Sequence, residues 1–299
     1  MTTTIPELIL NNGVKLPSLG LGTLDRKSPE KVANAVEAAI ADGYRLIDTA
    51  ASYTTERHVG EGIKRSGIDR SELFVTTKLW LSQYGYDNAL RGFESSLRRL
   101  GLDYLDLYLL HWPVPSDFET TIAAYRALEK LLADGRVRAI GVANFSAQHL
   151  KTLTEQTHIV PAVNQIELHP FFIQKELRDA NARLGILTQS WSPIGNSVRV
   201  FSAPDERKDP LTHSTVVGLA KKYGKTTAQV ILRWHIQHGL CAIPKSVRPE
   251  RIAENIDIFD FTMTPAELAA IDAMDTSKRS GPDPDAVNAK TFAFNVENQ

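Results

Sequence analysis

One cysteine, Cys241, stands among 299 residues, so no internal disulfide can form and a disulfide-stapled extracellular scaffold is excluded. Excess charge is missing too. With 34 Lys and Arg against 35 Asp and Glu the formal net charge is -1, which excludes a basic nucleic-acid footprint. No apolar run approaches the roughly 20 residues that cross a bilayer. The opening stretch MTTTIPELIL has neither a basic n-region nor a long apolar h-region, so no secretory leader is expected. Cys and His do not cluster at metal-ligand spacing, and no metal is expected. No break in composition divides the chain. The expectation is one cytoplasmic domain over residues 1–299, without nucleic-acid or membrane partners, and monomeric, with a loop-like tail over 276–299.

What is present is a repeated alternation. An NNG turn signal marks a small N-terminal hairpin. Then SPEKVANAVEAAIADG keeps Val32, Ala35, Val36, Ala39 and Ile40 at helical spacing, with Ser28 as expected N-cap, Pro29 at the first helical position and Gly43 as terminator. The β-like runs RLIDTA, LFVTTKL, LDLYLLHW, VRAIGVANF, AVNQIEL, ILTQSWS and CAIPKSV follow, separated by helical patterns. With SLGLGT at the start they make eight strands. Several are near-continuous apolar runs, as parallel strands covered on both faces should be. The pattern predicts an α/β fold, a single (β/α)8 TIM barrel with an N-terminal hairpin and a C-terminal loop over the barrel mouth.

Chemistry in such a barrel lies at the C-terminal ends of the strands. Read in order, those ends supply Asp48 with Tyr53 just beyond, Lys78, His111, Asn144, then Gln165, Glu167 and His169, then Trp191, and finally Lys245 and Ser246. Taken singly, Asp48 reads as a cap, Tyr53 as packing, Lys78 as a snorkelling lysine and His111 as a satisfied buried histidine. Glu167 and His169 read equally as a structural pair. A shared mouth weakens the separate readings, because it brings these side chains together whatever their separation in sequence. An ammonium about 4 Å from a phenol, at an effective dielectric near 20, favours the phenolate by roughly 4 kcal/mol, or about 3 pKa units. Lys78 is therefore expected to draw Tyr53 down toward working pH, with Asp48 orienting Lys78 and a neutral His111 donating to a substrate oxygen. That set suits protonation of a carbonyl oxygen as it gains charge.

No side chain here donates a hydride, so a cofactor is implied. GLGTLD, with Gly20 and Gly22, falls short of the dinucleotide fingerprint. A phosphate is better placed at IPKSVRPERIAEN, where Lys245, Ser246, Arg248 and Arg251 precede or open a helix near Pro249 after the eighth strand.

At this point GYRLIDTAASY, TTKLW, LLHWP, GVANF, PAVNQIELHP and IPKSVRPERIAEN together resemble the signature segments of the aldo-keto reductases, in order, from about residue 6 to 275. Within that family the chain is most similar to bacterial 2,5-diketo-D-gluconic acid reductases. The resemblance implies an NADPH/NADP+-dependent oxidoreductase that reduces aldehydes or ketones with the catalytic tetrad Asp48, Tyr53, Lys78 and His111. It implies that Asn144 and Gln165 hold the nicotinamide carboxamide while Trp191 stacks on the ring, and that Gly22, Thr23 and Leu24 line its side. Ser192, Pro193, Ile194 and Gly195 would follow the cofactor. Ile243 would also contact the cofactor, and Lys245, Ser246, Val247, Arg248 and Arg251 would hold the adenosine 2′-phosphate, with Glu254 and Asn255 at the adenine. Substrate would meet Tyr53, Trp80, His111 and Trp112, walled by the loops at 113–120 and 196–212. Two departures from the family pattern stand out: Ala143 replaces the usual serine before Asn144, and YTTE replaces the frequent YGNE after Tyr53. Two other readings remain open here, a non-catalytic cofactor-binding regulator on the same fold and a barrel aldolase with Lys78 as Schiff-base lysine.

Overall fold

The computed structural model describes residues 5–195, 198, 209–288, 290–292 and 296. Strands β1 (Glu7–Ile9) and β2 (Lys15–Pro17) pair antiparallel through the expected turn, where Gly13 takes φ +83°. This hairpin lies at the N-terminal end of the barrel: Asn11 and Asn12 donate to the carbonyls of Pro161 and Arg138, ahead of and early in two barrel strands.

Eight parallel strands follow in sequence order: β3 (Leu21–Gly22), β4 (Leu46–Asp48), β5 (Phe74–Leu79), β6 (Leu105–Leu110), β7 (Val137–Ala143), β8 (Val163–Glu167), β9 (Leu187–Trp191) and β10 (Cys241–Ala242). Bridges from Leu19 to Ala242 and from Gly22 to Lys245 join first to last, closing the (β/α)8 barrel. The helices are α1 (Lys31–Ala41), α2 (Glu56–Ser66), α3 (Tyr86–Leu100), α4 (Phe118–Ala133), α5 (Ala147–Gln156), α6 (Lys175–Arg183), α7 (Ser214–Tyr223), α8 (Thr227–Gln237), α9 (Pro249–Ile256) and α10 (Pro265–Asp272).

Strand alternation places the site. Leu46, Phe74, Leu107 and Leu109 join one cluster inside the barrel, while Ile47, Val75, Tyr108 and Leu110 pack with the helices. Side chains two apart share a face, so Asp48 falls with Leu46, and Lys78 with Phe74, on the interior side at the C-terminal rim.

Two expectations are corrected. Ser28 does not cap α1 and Pro29 is not its first residue: the helix starts at Lys31, with Glu30 before it. The Asp25 carboxylate accepts the N–H groups of Lys27 and Ser28, holding a turn ahead of the helix. The eighth strand is shorter than CAIPKSV, because Pro244 has no N–H to continue the ladder.

Candidate active site

Lys78, fully buried, donates to Asp48 Oδ1 at 2.5 Å, to the Thr49 carbonyl at 2.9 Å and to the Tyr53 hydroxyl at 3.4 Å. Tyr53 closes a one-turn 3-10 helix (Ala51–Tyr53) directly after β4, which brings its ring over the ammonium at 4.9 Å. The chain leaves that turn through Thr54 at φ +64°, a left-handed conformation where the family's frequent glycine is at ease and a β-branched residue is strained. The loop keeps its place nonetheless. Thr55 is buried, its hydroxyl 3.4 Å from that of Thr49, and Glu56 accepts from Thr77 at 2.6 Å and from Arg99 at 2.6 Å.

Asp48 accepts from both sides, since Gln165 Nε2 donates to its Oδ2 at 2.8 Å and also to Gln189 at 2.7 Å. Burial alone disfavours the Lys78 ammonium, but the adjacent Asp48 and Tyr53 outweigh it and raise the pKa of Lys78. Burial likewise raises Asp48, with Lys78 and Gln165 holding it back. The direction that decides the chemistry is that of Lys78, which keeps its proton.

Tyr53 departs from expectation. Burial raises its hydroxyl above the usual phenol range, Lys78 pulls it down, Asp48 pushes it up again, and the net direction is upward. The expectation of a lowered value set the ammonium against a solvated phenol and left out desolvation. Tyr53 therefore remains a neutral O–H at physiological pH, with a cation beside it to receive the charge when the proton leaves.

His111 follows β6 and is 8% exposed, with Nδ1 3.4 Å from the Ser52 hydroxyl. Burial and the charges of Lys78 and Arg26 push it well below its ordinary range, so the ring is neutral. It meets Tyr53 edge-on at 5.7 Å and Trp80 at 5.1 Å, and stacks with Trp112 at 6.3 Å. Phe292, from the C-terminal segment, packs on Trp80 at 5.2 Å and Trp112 at 5.7 Å. The tail thus crosses the mouth. It is held there by Glu167, fully buried, whose carboxylate accepts the N–H groups of Ser280 and Gly281 at 3.2 and 2.9 Å and lies 3.2 Å from His169 Nε2. Glu167 and His169 are accordingly a structural pair. A Cβ on Gly281 would lie 2.7 Å from the Trp191 ring, so only glycine passes there.

Asn144, at φ +66°, donates to the His111 carbonyl at 3.0 Å and accepts from the Trp191 indole at 2.8 Å. Each atom of its amide retains capacity for one more bond. Among the described residues Gln165 Oε1 accepts nothing and is open to an amide N–H. On the other flank Gly22 lies where a Cβ would come within 2.9 Å of the Ile243 carbonyl, Thr23 donates to the Asp48 carbonyl at 2.9 Å, and Leu24 is exposed. Ser192 and Gly195 turn the chain at φ +50° and +77°, with the Pro193 carbonyl held by His235 at 3.0 Å and Ile194 packed against the core. Residues 196, 197 and 199–208 of the expected pocket wall lie outside the described residues.

The expected phosphate pocket is more committed than a count of cations suggests. Lys245 is paired with Asp25 at 2.5 Å, and Arg248, at the cap position of α9, with Glu250 at 2.6 Å. Sequence reasoning passed over both acids. Ser246 Oγ accepts the Arg248 N–H at 3.1 Å, and Val247 packs on the core. Glu254 accepts from Thr226 at 2.9 Å, and Asn255 is buried. Arg251 is exposed, and among the described residues no carboxylate pairs with it. Sequence reasoning also missed Thr49, Ser52, Gln189, Arg26 and Phe292. Only Ser52, in the stretch beside Tyr53, left a signal that could have been followed.

The pattern of the aldo/keto reductase family matches residues 18–276. Morphine 6-dehydrogenase of Pseudomonas putida is 55% identical over 290 residues, covering 96% of this chain and 97% of that protein. Glyoxal reductase of Bacillus subtilis is 46% identical over 286 residues, covering 95% and 99%. Among solved structures, an aldo-keto reductase of Bombyx mori in complex with NADP superposes with a TM-score of 0.87 at 37% identity, covering 93% of this chain and 95% of that one.

Proposed function

The chain belongs to the aldo/keto reductase family, and from that premise we propose that Tyr53 is the acid by which this enzyme protonates a carbonyl oxygen during NADPH-dependent reduction. The observation that carries the assignment is the Lys78 ammonium 3.4 Å from the Tyr53 hydroxyl, anchored in turn by Asp48 at 2.5 Å. An isolated buried phenol would be too weak an acid. Beside a fixed cation, the phenolate formed on proton loss is stabilised at the moment charge moves. Neutral His111 donates to the same carbonyl oxygen from Nε2, fixing its direction, and in that tautomer Nδ1 accepts from the Ser52 hydroxyl 3.4 Å away.

The cofactor's fit rests on groups already described. Gln165 Oε1 is an open acceptor, Asn144 keeps one bond free on each amide atom, Gly22 permits close approach, and Arg251 is an uncommitted cation at the start of α9. When bound, NADPH supplies a hydride to the carbonyl carbon. Gln165 and Asn144 would hold its carboxamide, Trp191 the nicotinamide face, and Arg251 the 2′-phosphate, joined by Lys245 and Arg248 if their carboxylate partners are exchanged. Trp80, Trp112 and Phe292 form an aromatic wall that excludes water from the oxygen being protonated. A single chain acting in the cytoplasm is the accompanying reading, its compartment supported by the one cysteine of the sequence, which is free and buried. Among the described residues no helix is long and apolar enough to cross a membrane.

The other readings lose ground. A Schiff-base lysine must be deprotonated to attack, whereas Lys78 holds its proton against Asp48. A non-catalytic regulator leaves the assembled tetrad without a purpose. Carbonyl-dependent oxidation of NADPH, measured over a panel of glyoxal, methylglyoxal, keto acids, sugars and aromatic aldehydes, tests the proposal; no turnover with any member refutes it.

A further inference from the structure

Away from the barrel mouth, the start of α2, one face of α3 and the turn after β5 line a half-open cavity of about 600 Å3, with Arg57, Arg91 and Arg98 exposed at its walls. Arg57, Arg91, Arg98, Arg99 and Gln83 line it, together with Val296 of the C-terminal segment. Arg99 is committed to the buried carboxylate of Glu56. The other three are not. Among the described residues Arg91 donates only to Asn88, Arg98 only to Ser95 at 2.9 Å, and neither these two nor Arg57 is paired with a carboxylate. Four guanidinium groups therefore share one carboxylate, in a chain whose net charge is -1. Gln83, 6% exposed, adds a buried Oε1 with no hydrogen-bond partner, an acceptor that lacks a donor.

We propose that this cavity is a second anion site, separate from the cofactor's, which takes a small organic anion of two or three negative charges that also carries a hydroxyl group. Guanidinium forks match the paired oxygens of carboxylate and phosphate, and the ligand hydroxyl would satisfy Gln83. Occupancy bears on the substrate pocket through the C-terminal segment: Val296 lines the cavity, and Phe292, four residues earlier, packs on Trp80 and Trp112. That last link rests on the proposed carbonyl reduction; the binding itself does not.

The test is calorimetric titration of the NADP-saturated enzyme, at fixed ionic strength, with glycerol 3-phosphate, with citrate, and with tricarballylate, which is citrate without its hydroxyl. At least one hydroxylated probe should bind saturably, and the preferred one identifies phosphate or carboxylate as the group recognised. Loss of one charge-assisted contact weakens binding by about tenfold or more, so Arg91→Gln and Arg98→Gln should each do so and the double variant by about 100-fold, with NADPH affinity unchanged. Citrate should exceed tricarballylate in the wild type and match it in Gln83→Leu. The better probe should also lower KM for glyoxal in the wild type and not in the double variant. No saturable binding of either hydroxylated probe, or equal binding by the double variant, overturns the site. Equal affinity for citrate and tricarballylate overturns the part given to Gln83, and an unchanged KM overturns the link to the pocket.

Discussion

Replacing Lys78 with methionine removes a charge from three contacts at once: Asp48 at 2.5 Å, the Thr49 carbonyl at 2.9 Å and the Tyr53 hydroxyl at 3.4 Å. At the last distance and an effective dielectric near 20, the ammonium favours a phenolate by roughly 5 kcal/mol, about 3.5 pKa units, of which Asp48 cancels a part. Tyr53 already lies above its usual range, and without Lys78 it rises further. Carbonyl reduction should slow by about 10²- to 10⁴-fold, and the alkaline limb of the kcat profile should move to higher pH. Stability should fall as well, because Asp48 is left buried with only Gln165 to compensate it, a loss of about 3–5 kcal/mol. The double variant Lys78→Met, Asp48→Asn separates the two effects, since it removes the stranded charge: the thermal midpoint should recover and the rate should not. A folded Lys78→Met enzyme with wild-type rate and an unmoved alkaline limb would refute the reasoning and leave Lys78 a structural cation.

Arg251→Ala should raise the dissociation constant for NADPH about 10- to 100-fold and hardly affect NADH, as fluorescence titration would show; equal losses would place the 2′-phosphate elsewhere. Buried His235 resists protonation down to a pKa of about 3, from an ordinary value of 6.5, while the unfolded chain takes the proton near 6.5. The unfolded state then binds more protons, so stability is lost as pH falls from about 6.5 to 3, at about 1.4 kcal/mol per pH unit, and His111 acts in the same direction. Unfolding of His235→Gln over that window should show a shallower slope; an unchanged slope would contradict the assignment. Thr54→Gly should stabilise the fold by about 1 kcal/mol by relieving φ +64°, and a fall in the thermal midpoint would show that Thr54 makes contacts worth more than its strain.

Strand order, the barrel and the convergence of Asp48, Tyr53, Lys78 and His111 were legible because period-two alternation and the strand ends are local signals. What pairing does across the barrel was not. Asp25 meets Lys245 over 220 positions, and Phe292 reaches Trp80 from a C-terminal segment that Glu167 fastens at Ser280 and Gly281. The direction of the Tyr53 shift was misread for a related reason: charge can be counted from sequence, whereas desolvation depends on how fully the folded site is closed. Glu250 was different. It stands in plain view two residues after Arg248, and an i to i+2 pair at a helix start is easily overlooked when cations alone are counted.

The central claim, that the Tyr53 hydroxyl delivers the proton, is tested most directly by single-turnover reduction of glyoxal in Tyr53→Phe alongside its dissociation constant for NADPH. The substitution removes one oxygen and leaves Asp48 and Lys78 paired, so NADPH binding should be nearly unchanged while the rate falls by about 10²-fold or more. A variant that binds NADPH normally and keeps most of the wild-type rate would contradict the claim.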